Sequence, residues 1–228
     1  MAMSGYPLKV LPVTSIGREA EERGHAIVEG IVDQGALLEW SKTLGTPLKS
    51  ADGYLMKELR VTPSESARPR TFSASFGTDA FPLHTDTAFW PMPARFLVMR
   101  AIGDNRRPTT ICSLDELLSV AGATLSTSLR RSVWILRTMS RSVYCQMTFL
   151  RPDLRLGFRF DRQCMLPANS AAREIDEYIR IGLPRTAVKQ ISWSGEAAVV
   201  VANWQSLHGR GPEPSEERER IIQRIYVG

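Results

Sequence analysis

Cysteine is scarce in this sequence: Cys112, Cys145 and Cys164 are the three in 228 residues. They lie far apart with no Cys-x-x-Cys pair, so neither a disulfide framework nor a structural zinc site is indicated, and they read as buried thiols. Histidine is equally sparse, with only His25, His84 and His208. Lysine is limited to positions 9, 42, 49, 57 and 189, so the net charge of +5 rests on arginine. Those arginines are interleaved with acids, as Arg18 with Glu19 and Arg218 with Glu219. A nucleic-acid footprint is normally a clustered basic face, so the pattern suits a small anionic molecule better than a nucleic acid. No apolar run approaches the roughly 18 to 20 residues needed to cross a bilayer. Met1 to Pro12 also lacks the apolar segment and cleavage site of a secretory signal. A cytoplasmic protein without a membrane partner is expected. Phosphate-loop, dinucleotide and Gly-x-Ser-x-Gly fingerprints are missing as well, which leaves nucleotide-dependent and serine-hydrolase chemistry without local support.

What is present is an ordinary globular composition, 43% hydrophobic and 23% charged, with no internal period or long linker, so residues 1–228 are expected to form a single domain. Gly24 to Ile31 reads as a strand. Asp33 then caps a helix whose Ala36, Leu37, Leu38, Trp40 and Leu44 share a face and which ends near Gly45, before Pro47. Short extended segments follow: Tyr54 to Val61, Phe72 to Phe76, Phe96 to Ile102, Thr109 to Ser113, Ser142 to Leu150, Leu154 to Phe160, Val188 to Trp193, Ala197 to Asn203 and Ile221 to Val227. Helical patterns are confined to Leu114 to Val120, Ser126 to Leu136 and Ala171 to Ile181. Strands without a helix after each one predict a mainly β fold with flanking helices, a barrel or sandwich rather than a parallel sheet.

Two of the three histidines sit where a metal could use them. In Phe81-Pro82-Leu83-His84-Thr85-Asp86 the imidazole and the carboxylate are two residues apart, so an extended backbone projects both to one face. Asn203-Trp204-Gln205-Ser206-Leu207-His208 places another imidazole just after a strongly β-forming run. Two imidazoles and one carboxylate fill one triangular face of an octahedral iron and leave three positions open, as in non-heme Fe(II) oxygenases. A His-x-Asp pair alone is more often a turn or a surface pair, and the C-terminal segment supplies further support. Period-2 alternation there puts Arg220, Ile222 and Arg224 on one face and Ile221, Gln223 and Ile225 on the other. Guanidinium groups among strand apolars call for an anion, and a dicarboxylate is the natural partner. The alternative is an edge strand whose arginines face Glu213, Glu216 and Glu217 through solvent.

At these residues the chain resembles the taurine dioxygenase and clavaminate synthase-like superfamily of Fe(II)- and 2-oxoglutarate-dependent oxygenases. The likeness runs from Gly24 to the C-terminus and rests on His84-Thr85-Asp86 with Phe89, on Asn203 to Arg210, and on the paired arginines beyond. It implies a double-stranded β-helix, or jelly roll, with His84, Asp86 and His208 as ligands of Fe(II). It further implies that the far carboxylate of 2-oxoglutarate pairs with Arg220 and the hydroxyl of Thr110, with Arg224 near the primary substrate or assisting the co-substrate. Superfamily members usually carry Gly-Gly-Asp-Thr where this chain has Arg106-Arg107-Pro108-Thr109-Thr110, so the hydroxyl belongs to Thr110 or Thr109. The implied reaction consumes O2 and 2-oxoglutarate, releases succinate and CO2, and oxidises, most simply hydroxylates, a small polar or anionic molecule such as an amino-acid derivative or a secondary-metabolite intermediate. The carboxylate of Asp86 separates this chain from related halogenases, which carry a small residue there.

The chain is shorter than typical members, which leaves the pocket either open or completed by a bound partner or a second subunit. Asn203 reads equally as a brace for the distal histidine and as a strand-end turn residue. Phe89, Trp90, Phe158, Phe160 and Trp204 are candidates for a pocket wall or for the core. Arg210 follows the distal histidine closely enough to face the site, and His25 reads as structural. Two other classes compete with the oxygenase: a non-catalytic jelly-roll module that binds a small acid, and a cupin-type metal enzyme that does not use 2-oxoglutarate.

Overall fold

A computed structural model describes residues 14–69, 71–103, 107–138, 140–193, 195–212 and 221–228. Helix α1 (Ser15–Arg23) is capped by Thr14 and ends at Gly24, whose φ of 85° turns the chain into β1 (His25–Glu29). Asp33 caps α2 (Gln34–Ser41) by accepting from the Ala36 amide at 2.8 Å. There follow β2 (Pro47–Leu48), β3 (Met56–Arg60), α3 (Phe72–Phe76), β4 (Phe96–Ile102), β5 (Thr109–Ser113) and α4 (Leu114–Arg131). Next come β6 (Val133–Arg137), β7 (Ser142–Gln146), β8 (Thr148–Leu150), β9 (Leu156–Phe158), β10 (Met165–Pro167) and α5 (Ser170–Glu177). The described chain closes with β11 (Lys189–Ile191), β12 (Ala197–Ala202), β13 (Ser206–Arg210) and β14 (Ile221–Val227).

All strand pairings are antiparallel. A large sheet runs β1-β12-β4-β14, and β14 also pairs with β2 and β3. A smaller sheet runs β11-β5-β13. Alternation gives the large sheet two apolar faces. Leu97, Met99, Val199, Val201, Ile222 and Tyr226 pack with Ile111 and Ile191 of the smaller sheet, while Phe96, Val98, Ala198, Val200, Ile225 and Val227 pack under α1 and α2. The outer face of the smaller sheet, through Cys112 and Leu207, packs with residues of α4, α5, β6, β9 and β10. The fold is therefore mainly β with antiparallel sheets and flanking helices, as expected. Among the described residues no helix is long and apolar enough to cross a membrane.

Three expected elements differ. Phe72 to Phe76 is helical, because Thr71 accepts from the Ala74 amide and a turn of helix brings both phenyl rings onto Phe81, at 5.4 and 6.2 Å between centroids. Its Phe-Ser-Ala-Ser-Phe pattern satisfies period 2 and an i, i+4 spacing alike. The helix expected over Ser126 to Leu136 stops at Arg131, since Val133-Trp134-Ile135-Leu136 pairs on both sides, with β7 and β10. Asn169 fixes that stop, accepting from the Val133 amide while donating to the Arg131 carbonyl. Ser142 to Leu150 is two strands, broken at the fully buried Met147.

Charge is also buried on purpose in this fold. Glu21, on α1, receives Arg95 at 2.8 Å, Arg151 at 2.5 Å and Arg155 at 2.7 Å. The Arg151 side chain is wholly buried and that of Glu21 is 5% exposed. Arg95 in turn donates its amide to Val227 and accepts from the amide of Asn203. Removing the acid leaves Arg95 without its carboxylate and the buried Arg151 with Asp153 alone, so Glu21→Ala should cost about 3 kcal/mol, read as a lowered midpoint in urea unfolding. Glu21→Asp should retain part of that loss.

Candidate metal centre

His84 and His208 are brought together by the main chain. The His84 amide donates to the His208 carbonyl and the His208 amide to the His84 carbonyl, both at 2.9 Å. In an antiparallel pair such residues stand opposite each other on one face, and the two rings lie 4.5 Å apart between centroids. Asp86 is the next residue on that face. Its Oδ1 is 3.6 Å from Nε2 of His84 and its Oδ2 is 3.7 Å from Nε2 of His208. One donor atom from each of the three lies within 4.8 Å of the other two.

The carboxylate is held from behind. Asn203 accepts from the Asp86 amide through Oδ1 and donates through Nδ2 to the Asp86 carbonyl, both at 3.0 Å, with a further bond to Ala94 at 2.8 Å. Thr87, at a left-handed φ of 57°, donates to the same carbonyl, and its hydroxyl accepts from the Ala94 amide. Thr85 pairs with Phe160 through both its amide and its hydroxyl, which seats the region after β9 against the segment that bears His84 and Asp86. Arg159 then pins the loop that follows, donating to the carbonyls of Ala88, Trp90 and Pro91.

The electrostatics suit a cation. Nδ1 of His84 lies 2.9 Å from the Pro82 carbonyl, so it carries the proton and the lone pair on Nε2 faces Asp86. Two imidazole nitrogens thus converge on the carboxylate, which also accepts from the Arg224 guanidinium. Burial alone would raise the pKa of Asp86, but the Arg224 guanidinium and the two imidazoles hold it well below the ordinary range. Burial, with His84 beside it, pushes His208 down to about 4. Burial disfavours the charged form of His84, and Asp86 outweighs it and raises that pKa above 6.5. The donor types, their spacing and the neutral state of His208 fit a divalent first-row metal.

Arg224, on β14, lies in this centre: its Nη1 donates to Oδ2 of Asp86 at 2.6 Å and its Cζ sits 4.5 Å from the Tyr226 ring centroid. Arg220 lies outside the described residues. The β5–β13 register sets Thr109 opposite Arg210 and Ile111 opposite His208, so Thr109 shares the face of His208. Thr110 stands opposite Gly209 on the other face, where a Cβ on Gly209 would meet the Thr110 hydroxyl at 2.9 Å. Asn203 braces Asp86 rather than the distal histidine. Arg210 stacks on Phe81 and donates to the carbonyls of Gly77 and Asp79. His25 is buried on β1, with its pKa lowered by that burial. Phe158, Phe160 and Trp204 are core residues. Phe89 and Trp90 line an open cavity of about 350 Å³ with Arg159, and Trp90 also packs on Tyr226 at 5.7 Å.

Sequence reasoning missed three neighbours of the centre. Tyr226 was findable, being two residues beyond Arg224 on the same strand face. Phe72, whose ring is 4.2 Å from that of His84, and Asp161, a buried carboxylate in electrostatic contact with His84, carry no local signal.

Neither a comparison with protein-family models nor one with curated proteins finds a match for the chain. Solved structures do match. An asparagine oxygenase in complex with Fe(II), 3-hydroxyasparagine and succinate aligns with a TM-score of 0.73 at 16% identity, over 92% of this chain and 76% of that one. The chain has the fold of non-heme iron oxygenases. OrfP, a non-heme iron oxygenase in complex with Fe and alpha-ketoglutaric acid, aligns at 0.66 with 19% identity over 92% of this chain and 77% of its own. PvcB from Pseudomonas aeruginosa aligns at 0.70 with 19% identity over 99% and 83%.

Co(II) at a hundredfold its Kd should stabilise the folded protein by about 2.7 kcal/mol, and His208→Ala or Asp86→Ala should abolish the shift in a thermal melt. Protons compete for the same nitrogen. Because the His84 pKa lies above 6.5, metal affinity should fall as pH drops through that range, approaching about a tenfold loss per unit below it. The metal-free protein behaves oppositely: the stability that protonated His84 contributes is complete below its unfolded value and is lost as pH rises through the folded one. Titrating Co(II) between pH 5.5 and 8, with affinity expected to fall toward the acid end, checks the sign.

Proposed function

We propose that the protein is an Fe(II)- and 2-oxoglutarate-dependent dioxygenase, built as one double-stranded β-helix domain over residues 1–228. The observation that carries this reading is the convergence of His84, Asp86 and His208 donors on one point, in a fold shared with oxygenases solved with iron and 2-oxo acid or succinate. His84 and His208 bind the metal through Nε2, and Asp86 supplies the single anionic ligand. When bound, iron and 2-oxoglutarate supply oxygen activation, with succinate and CO2 as products.

The chain's own residues do the positioning. Two antiparallel sheets supply the walls, and Thr109, rather than Thr110, is the hydroxyl on the His208 face that meets the far carboxylate of 2-oxoglutarate. Arg220 is its cationic partner. The loop that Arg159 pins carries Trp90 onto Tyr226 beside Arg224, and the segment that Thr85 holds against Phe160 carries His84 and Asp86, so both limit the access of water to the centre. The primary substrate is a small polar molecule such as an amino-acid derivative. Related structures hold (3S)-hydroxy-L-Arg and 3-hydroxyasparagine, which supports that class.

Anaerobic addition of Fe(II) and 2-oxoglutarate should give the weak visible charge-transfer band of the chelate, and Asp86→Ala should remove it while the far-ultraviolet circular dichroism is unchanged. Thr109→Ala should raise the apparent Kd for 2-oxoglutarate by about tenfold, the loss of one charge-assisted hydrogen bond, with Thr110→Ala near wild type. A folded, metal-loaded protein that gives no band refutes the assignment. Succinate release stimulated by candidate amino acids then identifies the substrate.

A further inference from the structure

The contact between Arg224 and Asp86 gives the guanidinium a task other than meeting substrate or co-substrate. Three protein donors leave three positions on an octahedral ion. A 2-oxo acid that chelates takes two, and oxygen needs the third. Carboxylates bind metals through one oxygen or both, and a second oxygen from Asp86 would fill one of these positions. Its two oxygens face one imidazole each, Oδ1 at 3.6 Å from Nε2 of His84 and Oδ2 at 3.7 Å from Nε2 of His208, and of the two it is Oδ2 that already carries a hydrogen bond, from Arg224 at 2.6 Å. We infer that Arg224 is a positioning residue that occupies Oδ2 of Asp86, restricts this carboxylate to one metal bond through Oδ1, and so keeps the third external position open. The inference rests on the metal-centre reading above.

The surroundings give Arg224 little freedom to leave. Its side chain is 15% exposed and that of Asp86 12%. The strand that carries it is paired on both sides, with Arg224 opposite Met99 of β4 and Lys57 of β3. The Tyr226 ring lies 4.5 Å from Cζ, favouring the cation from one side. The Arg224 Nε is buried without a hydrogen-bond partner, so the guanidinium reaches its carboxylate by Nη1 and leaves a donor unsatisfied to do so. At the other end Asn203 holds the Asp86 amide and carbonyl together. Backbone and carboxylate oxygen are thus fixed independently, and the remaining oxygen is left for the ion.

The test uses the full chain loaded with Mn(II), whose bound waters are counted by water-proton relaxation. Wild-type protein should show three exchangeable waters. Arg224→Met should take up Mn(II) and lose one of them, a fall of about a third, with a changed visible spectrum after Co(II) loading. Arg224→Lys, which keeps the charge and can reach one oxygen, should stay close to wild type. The inference is overturned if both variants keep three waters and the wild-type Co(II) spectrum, or if Arg224→Met changes only the KM for substrate, which would make the residue a substrate contact. If Arg224→Met does not fold, Arg224→Ala takes its place in the same measurement: loss of one water supports the inference and retention of all three overturns it. Failure of the metal-centre reading looks different: wild-type protein then binds no Mn(II) or Co(II), and both readings fall together.

Discussion

Two main-chain hydrogen bonds of 2.9 Å join His84 to His208, and the candidate site depends on that pairing. It aligns one short bridge segment with β13, sets both imidazoles on one face, and leaves Asp86 as the following residue on the same side. Register is the constraint. A slip of one residue would turn Leu83 or Leu207 toward the carboxylate and send the imidazoles into the apolar cluster beyond the smaller sheet. That cluster, with Cys112, Leu207 and the helices packed on it, resists the slip because it would have to bury histidine in place of leucine.

The rest of the architecture keeps these strands apart at the right separation. The large sheet offers its Leu97, Met99 and Val201 face to Ile111 and Ile191 of the smaller one, and β14 delivers Arg224 across the gap. Glu21 ties α1 to Arg95 at the entrance to β4, and Arg95 passes the restraint through main-chain bonds to Asn203 and Val227. Asn203 is the residue that clasps Asp86. A buried acid on a surface helix is thereby connected, through one arginine and one asparagine, to the only carboxylate among the three converging donors.

Much of this was legible in the sequence, for identifiable reasons. Ala197–Ala202 is β-branched or apolar throughout and buried, and Phe96–Ile102 is apolar but for Arg100, a pattern no helix face imitates. His84 and Asp86 needed only the two-residue period. What sequence could not separate was Phe72–Phe76, where the spacing fits both periods and the decision lies with Phe81, or Val133–Leu136, where pairing with two distant strands overrides a helical start. The choice between Thr109 and Thr110 turns on strand register, which local pattern does not encode. The excess of arginine also misleads when read as a ligand signal: Arg95, Arg151, Arg155, Arg159 and Arg210 are spent on Glu21 and on main-chain carbonyls.

The pairing of His84 with His208 is made by peptide groups, not by the imidazoles themselves. Exchanging either ring for another side chain therefore leaves the two segments joined, so the donor set could be varied, in evolution or at the bench, without unzipping the backbone that presents it.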